Sequence, residues 1–229
     1  MKLSGESFCK PGAGGIEGEE LGSIAERVLE ICQIGPKVSV VVGGGNFLRG
    51  ESFSEVSGTP RNTADYMGML ATIINACALQ EMLEKLGQPT RVLSAIEVPA
   101  MCERFIRRRA LHHLERGRTV ILAGGTGNPF FTTDTCAALR ASELDADLVI
   151  KATKVDGVYS DDPEKNPNAR LFTKLSYDDV LKQNLRVMDH AAISLCRDNK
   201  IRIIVLNIFK KGNITRAICG EQVGTLISS

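Results

Sequence analysis

Two glycine-rich turns, each directly after a run of apolar residues, constrain this sequence more than any other feature. The first is Gly43-Gly44-Gly45-Asn46, and the second is Gly124-Gly125-Thr126-Gly127. A strand that ends in glycines leaves backbone N–H groups uncovered, so a phosphate group can approach the main chain there. Two such turns predict binding sites for two phosphate-bearing ligands.

The composition is typical of a globular protein and argues against several classes of function. The 229 residues carry a net charge of +1, and only 5% are aromatic, so a nucleic-acid-binding surface is not expected. No apolar stretch is long enough to cross a membrane and no secretory signal is visible, so we expect a cytoplasmic protein. The seven cysteines lack CxxC spacing and the three histidines lack an HExxH pattern, which favours reduced thiols over a zinc site.

The periodicity of apolar residues alternates between strands and helices, which predicts an α/β fold with a mostly parallel sheet. Strands are predicted at 38–42, 91–94, 119–123, 147–151 and 201–206, with a last edge strand at 224–227. Helices are predicted at 17–34, 63–86, 102–116, 134–144, 177–182, 191–199 and 213–219, with Thr63 as an N-cap and Gly87 as a C-cap. Residues 50–60 and 153–170 are predicted to be loops. Ligands of such sheets bind beyond the carboxyl ends of the strands, where both glycine-rich turns lie.

Neither standard nucleotide-binding motif fits the two turns. GxxxxGK[ST] does not occur, and GxGxxG fails because Leu48 and Phe130 stand where its last glycine should be. The glycines therefore either bind phosphate in another scheme or serve only as turns.

Charged residues near the glycines favour phosphate binding. Lys2 precedes a tight turn at Gly5, and Arg49 follows the first glycine-rich turn. Either cation could neutralise a transferring phosphoryl group, although each alone also fits a solvated surface residue. Asp65 and Asp134 each fall in the first turn of a predicted helix. They could cap the helix, accept hydrogen bonds from a hydroxylated ligand, or orient a lysine.

Taken together, several segments resemble the bacterial uridylate (UMP) kinases over nearly the whole chain. The segments are Lys2-Leu3-Ser4-Gly5-Glu6, Gly43-Gly44-Gly45-Asn46 with Arg49-Gly50, Thr63-Ala64-Asp65-Tyr66-Met67-Gly68-Met69-Leu70-Ala71-Thr72, Gly127-Asn128-Pro129-Phe130-Phe131-Thr132-Thr133-Asp134, Lys151-Ala152-Thr153-Lys154-Val155-Asp156-Gly157-Val158-Tyr159 and Val187-Met188-Asp189. The Asp65 segment and the Gly127–Asp134 segment are the most specific of these.

The resemblance implies the amino-acid-kinase fold, a three-layer αβα sandwich around a central, mainly parallel sheet. It also implies one domain over residues 1–229, assembly into a homohexamer, and phosphorylation of UMP to UDP by ATP with Mg²⁺ in pyrimidine nucleotide biosynthesis. GTP as an activator and UTP as an inhibitor are the effectors implied.

The resemblance also assigns residues to ligands. The residues that match the ATP side are Lys2, Leu3, Ser4, Gly5, Gly45, Arg49, Thr153, Tyr159 and Asp162. Those that match the UMP side are Gly44, Asp65, Thr126, Gly127, Asn128, Pro129, Phe130, Phe131, Thr132 and Thr133. Asp134 lies between the two ligands. The loop linked to GTP activation matches Lys10, Pro11, Gly12, Ala13, Gly14 and Gly15.

A mechanism follows from the charges of these groups. A UMP phosphate oxygen is already anionic, so its attack on ATP needs no general base, and the obstacle is repulsion between anions. Lys2 and Arg49 are the expected catalytic cations. We expect Asp134 to orient Lys2 or the hydration shell of Mg²⁺, and Asp65 to accept hydrogen bonds from the ribose hydroxyls.

One departure and several alternatives remain. Family members carry an apolar strand just before the Lys2 segment, and this chain has only Met1 there. We therefore expect a central strand to be missing and Lys2 to be poorly anchored. A carboxylate or carbamate kinase of the same fold would share the turns but would give no reason for Asp65. A non-catalytic nucleotide or oxyanion binder would not need Lys2, Arg49 and Asp134 together. The failed GxGxxG fingerprint disfavours a dinucleotide-dependent oxidoreductase.

Overall fold

The computed structural model describes residues 1–163, 165–185 and 187–229. Its strands are β1 (Lys2–Leu3), β2 (Ser39–Val42), β3 (Thr90–Ser94), β4 (Glu103–Arg104), β5 (Thr119–Ala123), β6 (Leu148–Thr153), β7 (Lys174–Ser176), β8 (Arg202–Asn207) and β9 (Thr225–Ser228). Within the described residues these nine strands form one sheet in the order β4-β3-β5-β2-β1-β6-β8-β9-β7. Neighbouring strands run parallel except β8 and β9, so the predicted mainly parallel sheet is confirmed.

Helices cover both faces of the sheet. They are α1 (Gly18–Ile34), α2 (Gly50–Ser57), α3 (Arg61–Lys85), α4 (Arg107–Glu115), α5 (Thr133–Glu143), α6 (Tyr177–Lys182), α7 (His190–Asp198) and α8 (Asn213–Ile218). Residues of α1, α3 and α8 pack on one face, and residues of α4, α5, α6 and α7 pack on the other. This arrangement is the predicted three-layer αβα sandwich. None of the helices described is long and apolar enough to cross a membrane.

The valines of β2 show why the strand is central. Val40 and Val42 pack against α1 and α3, whereas Val41 packs against α4 and α5. Successive side chains of a strand point to opposite faces, so a strand that is covered on both sides needs apolar residues at every position. The run of valines meets this need and ends where the first glycine-rich turn begins.

The centre of the sheet corrects one expectation. We expected a missing strand, but β1 occupies the central position between β2 and β6. It is short, with two residues against four in β2 and six in β6. Lys2 pairs with Val41 on one side and with Lys151 on the other, and Leu3 is fully buried. Lys2 is therefore well anchored.

Several local predictions were wrong. Residues 50–57 form the helix α2 instead of a loop; its glycine and three serines are residues typical of loops, and none of its residues is buried. The helix α3 begins at Arg61 after Pro60, so Thr63 is not its N-cap and Asp65 lies beyond its first turn. The predicted helix 102–116 is shortened because β4 precedes α4. The strand β9 is not an edge strand, because β7 pairs with its outer side.

The loop predicted over 153–170 is confirmed from residue 154 onward for the described residues. A single antiparallel bridge joins Tyr159 to Leu171. Glu164 lies outside the described residues. The loop follows the carboxyl end of β6 directly, so it lies at the same edge of the sheet as the two glycine-rich turns.

Candidate active site

Two clefts open at the carboxyl edge of the sheet. We call the first the glycine cleft; its volume is about 320 Å³, and both glycine-rich turns line it together with Lys2, Asp65 and Thr132. We call the second the loop cleft; its volume is about 670 Å³, and its lining includes Lys151, Thr153, Tyr159, Asp162 and Val187. The clefts belong to opposite halves of the sheet, with β1 and α5 between them.

Gly44 of the first glycine-rich turn, and Gly5 beside that turn, are packed too closely for any side chain. A Cβ atom on Gly44 would lie 2.6 Å from the carbonyl oxygen of Gly68 in α3, and one on Gly5 would lie 2.3 Å from the nitrogen of Gly45. Only glycine allows such an approach of backbone to backbone. Within the described residues the N–H groups of Gly44 and Gly45 have no acceptor. They form a concave set of donors suited to an anion.

The second turn leads into the N-terminus of α5. Gly124 and Gly125 have positive φ angles, and the N–H groups of Gly125 and Thr126 have no acceptor among the described residues. Thr132 is the N-cap of α5, and its hydroxyl accepts hydrogen bonds from the backbone of Asp134 and Thr135 at 3.0 and 3.3 Å. The cap fixes the start of the helix and places the Asp134 carboxylate at the boundary between the clefts.

Asp189 ties this N-terminus to a second helix. Its carboxylate accepts hydrogen bonds from the hydroxyls of Thr132 and Thr135, the latter at 2.7 Å. It also caps α7 through the backbone N–H of Ala192 at 2.7 Å. One side chain therefore holds the first turn of α5 against the first turn of α7.

A buried ion cluster lies where the two clefts meet. The ammonium nitrogen of Lys2 is 2.9 Å from one oxygen of Asp134, and that of Lys151 is 2.7 Å from the other. Lys151 also donates to the carbonyl oxygen of Val187. The exposed fraction of the side chain is only 11% for Lys2, 13% for Asp134 and 17% for Lys151. Lys2 lines the glycine cleft and Lys151 lines the loop cleft. The Asp134 carboxylate therefore binds one lysine from each cleft.

The cluster shifts the pKa values of Asp134 and Lys151. Burial alone would raise the pKa of Asp134, but the charges and hydrogen bonds of Lys2 and Lys151 outweigh it and hold the pKa below its ordinary value. Burial lowers the pKa of Lys151, and the positive charge of Lys2 adds to this effect, while Asp134 opposes it. Asp134 is therefore a stable carboxylate and a weak base, and Lys151 holds its proton less tightly than a surface lysine.

Asp65 lies at the other end of the glycine cleft. The guanidinium of Arg61 donates to both of its oxygens at 2.9 and 3.1 Å, and the N–H of Phe130 donates to one of them at 2.8 Å. Phe130 has a φ of +70°, an uncommon conformation for a residue with a side chain. Asp65 therefore supports a strained residue of the second turn while its side chain faces the cleft.

Arg49 lies at the rim of the glycine cleft. It forms an ion pair with Glu6, and its side chain is 63% exposed. A Cβ atom on Gly45 would lie 3.6 Å from its Nε atom, so Arg49 covers the first turn from outside.

A family model, described as the amino acid kinase family, matches residues 1–207 of the chain. The chain belongs to the amino acid kinase family. A uridylate kinase of Methylococcus capsulatus is 54% identical over 228 residues, which are 99% of this chain and 95% of that protein. The crystal structure of a UMP kinase from Bacillus anthracis matches with a TM-score of 0.96 and 41% identity, covering 99% of this chain and 93% of that one. A UMP kinase from Ureaplasma parvum matches with a TM-score of 0.92 and 37% identity, covering 100% and 97%.

The predicted ligand residues of this amino acid kinase are divided unevenly between the two clefts. The glycine cleft contains residues predicted for UMP, namely Gly44, Asp65, Thr126, Phe131, Thr132 and Thr133, and also residues predicted for ATP, namely Lys2, Ser4, Gly5, Gly45 and Arg49. The loop cleft contains the other predicted ATP residues Thr153, Tyr159 and Asp162. Residues predicted for the two different ligands therefore lie together in the glycine cleft.

The remaining predicted residues lie beside the clefts. The side chain of Leu3 is in the core, so only its backbone could contact a ligand. Gly127, Asn128, Pro129 and Phe130 continue the second turn, and the Phe130 side chain is 67% exposed. The loop predicted for GTP lies at the surface and consists of Lys10, Pro11, Gly12, Ala13, Gly14 and Gly15. Its last residue is bonded to the first turn: the N–H of Gly15 donates to the carbonyl oxygen of Asn46 at 3.0 Å, and the Asn46 side-chain amide donates to the carbonyl oxygen of Gly15 at 2.7 Å.

Sequence analysis missed the roles of several residues in this amino acid kinase. Lys151 was visible as a lone charge within the otherwise apolar start of β6, and that signal could have identified it as a functional cation. Arg61 lies one helical turn before Asp65, a spacing typical of an ion pair. Asp189 belongs to a segment that carried the resemblance, but its role could not be predicted because its partners Thr132 and Thr135 are more than fifty positions away.

Proposed function

We propose that this chain transfers the γ-phosphoryl group of ATP to UMP, giving UDP and ADP. The observation that carries the proposal is the ion cluster of Lys2, Asp134 and Lys151 between two separate clefts. Two clefts suit a donor and an acceptor, and buried cations at their junction suit the transfer of an anionic group. The names of the relatives, which are uridylate and UMP kinases, supply the acceptor.

The positions of the clefts suggest the positions of the ligands. UMP would occupy the glycine cleft, with its phosphate against the free N–H groups of the turns and its ribose near Asp65. ATP would occupy the loop cleft, with its phosphates directed toward Lys151 and Lys2. An oxygen of the UMP phosphate would form a bond to the γ-phosphorus while the bond from that atom to the β–γ bridging oxygen breaks, and the bond electrons would stay on ADP.

The charges of the site fit this reaction without a general base. The attacking oxygen is anionic at neutral pH, and the low pKa of Asp134 makes it a poor proton acceptor. Asp134 instead orients two ammonium groups. Lys2 and Lys151 would offset the repulsion between the phosphates and stabilise the charge on the transferring group, with Arg49 as a third cation at the rim.

A magnesium ion that arrives with ATP fits these residues better than one held by the protein alone. Within the described residues no three His, Cys, Asp or Glu side chains are grouped as a metal site, and both Asp134 oxygens face lysines. Held by the phosphates of ATP, Mg²⁺ would offset part of their negative charge, beside the lysines Lys2 and Lys151.

The same family resemblance supports further parts of the proposal. We propose one domain over residues 1–229, a cytoplasmic location, a homohexamer, and GTP and UTP as activator and inhibitor. The helix α3 exposes Tyr66, Met67, Leu70 and Ile74 by 39–51%, and an apolar stripe of this kind suits contact with another subunit. Mass measurement by light scattering would test the assembly.

A coupled assay of ADP release tests the reaction. The purified protein with ATP and Mg²⁺ is offered UMP, CMP, N-acetylglutamate or carbamate in parallel. We expect turnover with UMP to exceed that with every other acceptor, and UDP to be the product. Preferred turnover of N-acetylglutamate or carbamate would identify a carboxylate or carbamate kinase instead. ATP binding without turnover of any acceptor would identify a non-catalytic binder.

A further inference from the structure

Two buried polar side chains on one face of α3 contact the two glycine-rich turns. Thr72 is 2% exposed and Asn75 is fully buried, and both belong to a helix face that is otherwise apolar. Residues three apart in a helix lie next to each other on its surface. A buried polar side chain lowers stability unless it is hydrogen-bonded, so these two residues need an explanation other than packing.

Asn75 holds the first turn. Its amide nitrogen donates to the carbonyl oxygen of Gly43 at 2.7 Å and to the side-chain oxygen of Asn46 at 2.7 Å. Asn46 returns a hydrogen bond of 3.0 Å to the Asn75 side-chain oxygen. The side chain of Asn75 is therefore satisfied as donor and acceptor, and all its partners belong to the first turn.

The bond to Gly43 fixes the direction of the N–H group that follows it. In a trans peptide the C=O and N–H of one unit point in opposite directions, and the described chain contains no cis peptide. Because the Gly43 carbonyl points at Asn75, the N–H of Gly44 points away from α3. Gly43 and Gly44 both line the glycine cleft, and the N–H of Gly44 has no acceptor among the described residues, so it is available to a ligand in the cleft.

Thr72 holds the second turn. Its hydroxyl oxygen accepts a hydrogen bond of 2.8 Å from the N–H of Gly124, and the hydroxyl donates a hydrogen bond of 2.7 Å to the carbonyl oxygen of Met69. Gly124 is the first residue of the turn and has a φ of +72°. The contact therefore fixes the point where the chain leaves β5 and turns toward the cleft.

We infer that Asn75 and Thr72 are positioning residues for phosphoryl transfer, and that α3 sets the direction of both anion-binding turns. The inference rests on the proposed function, since the ligands of the turns are taken to be the UMP and ATP phosphates. The first turn lies beside Lys2, where the phosphoryl group moves, so Asn75 supports the transition state. The second turn follows β5, which β2 separates from the strand that carries Lys2, so Thr72 supports the binding of UMP.

Substitution of Asn75 tests the first half. Asn75→Leu keeps the size of the side chain and removes every hydrogen bond to the turn. We expect kcat to fall about 100-fold with a smaller change in the KM for UMP, because a donor displaced by about 1 Å loses most of its effect on the transition state. If Asn75→Leu does not fold, Asn75→Ser, which keeps one hydroxyl, is measured in its place, and we expect a fall of about tenfold.

Substitution of Thr72 tests the inferred role in UMP binding, and here the KM for UMP rather than kcat should change most. Thr72→Val is nearly isosteric and removes the acceptor for Gly124. We expect the KM for UMP to rise about tenfold while kcat changes less, and Thr72→Ser, which keeps the hydroxyl, to restore the KM. Titration of UMP by calorimetry should show the same loss of affinity without any turnover.

Leu79→Ala is the matched control, because Leu79 is fully buried on the same helix within the apolar core. It should lower the melting temperature and leave kcat and KM unchanged. If the Asn75 and Thr72 variants change both constants only in proportion to their melting temperatures, or if neither constant changes, the inference is wrong. Wild-type protein that fails to phosphorylate UMP would refute the proposed function instead, so the two failures are distinguishable.

Discussion

The glycine cleft and the loop cleft are built in different ways. The glycine cleft consists mainly of backbone turns that end central strands, and buried side chains of α3 hold these turns in place. The loop cleft is lined largely by side chains of the segment after β6, where most residues are exposed or half-buried. Main-chain donors on rigid strands hold a phosphate in one geometry, whereas a loop can adjust to its ligand.

The difference suggests where selectivity is located. We expect the glycine cleft to discriminate strongly between acceptors and the loop cleft to be more tolerant toward donors. The ion cluster belongs to both clefts, so changes there should affect the transfer step rather than either ligand alone. The predictions below separate these three regions.

The largest effect should come from the cluster. Lys2→Ala removes a buried cation at the junction of the clefts, and we expect kcat to fall by about 1,000-fold while UMP binding is largely kept. Steady-state kinetics and UMP titration would measure the two quantities. Lys174→Ala, which changes an exposed lysine on β7, is the control. Turnover near that of the wild type would reject the catalytic role of Lys2.

A smaller effect should come from the glycine cleft. Asp65→Asn removes the charge that would accept hydrogen bonds from the ribose, and we expect the preference for UMP over dUMP in kcat/KM to narrow about tenfold. Parallel assays with the two nucleotides would measure it, with the exposed Asp147→Asn as the control. An unchanged preference would mean that Asp65 only supports Arg61 and Phe130.

The loop cleft should respond more weakly. Tyr159→Ala removes an aromatic side chain from its lining, and we expect the KM for ATP to rise about fivefold, with the KM for UMP unchanged. Initial rates with each nucleotide varied in turn would separate the constants. A change confined to the KM for UMP would reverse our assignment of the clefts.

The smallest effect at neutral pH concerns protonation. Because the pKa of Lys151 is lowered by burial, its charge is lost at a lower pH than that of an ordinary lysine at 10.5. We expect kcat to decline on the alkaline side as pH rises through that lowered pKa, and Lys151→Arg to move the decline to higher pH. A decline at the same pH in both proteins would show that another group is responsible.

The sequence predicted the regular parts of the fold and the polar residues that stand next to glycines. The helix α1 was found because its apolar residues recur at helical spacing, and the strands β2 and β5 were found because they are runs of apolar residues. The helix α2 was missed because its eight residues include a glycine and three serines, which are typical of loops, and β4 and β7 are too short to show a period.

The site was predicted only in part, because its contacts join distant positions. The sequence placed Asp134 near a helix N-terminus, but only the pairing of β1 with β6 brings Lys2 and Lys151 to the same carboxylate. The contacts of Thr72 and Asn75 could not be predicted either, since two polar residues on an otherwise apolar helix face give no indication of which backbone groups they meet. The register of the strands decides the first set of contacts, and the packing of α3 against the sheet decides the second.

The most direct test of this account is a crystal structure with UMP and a non-hydrolysable ATP analogue bound together. We predict UMP in the glycine cleft and the adenosine in the loop cleft, with the phosphate of UMP and the γ-phosphate of the analogue facing each other beside Lys2 and Lys151. Both nucleotides in one cleft, or terminal phosphates that lie far from the two lysines, would contradict it.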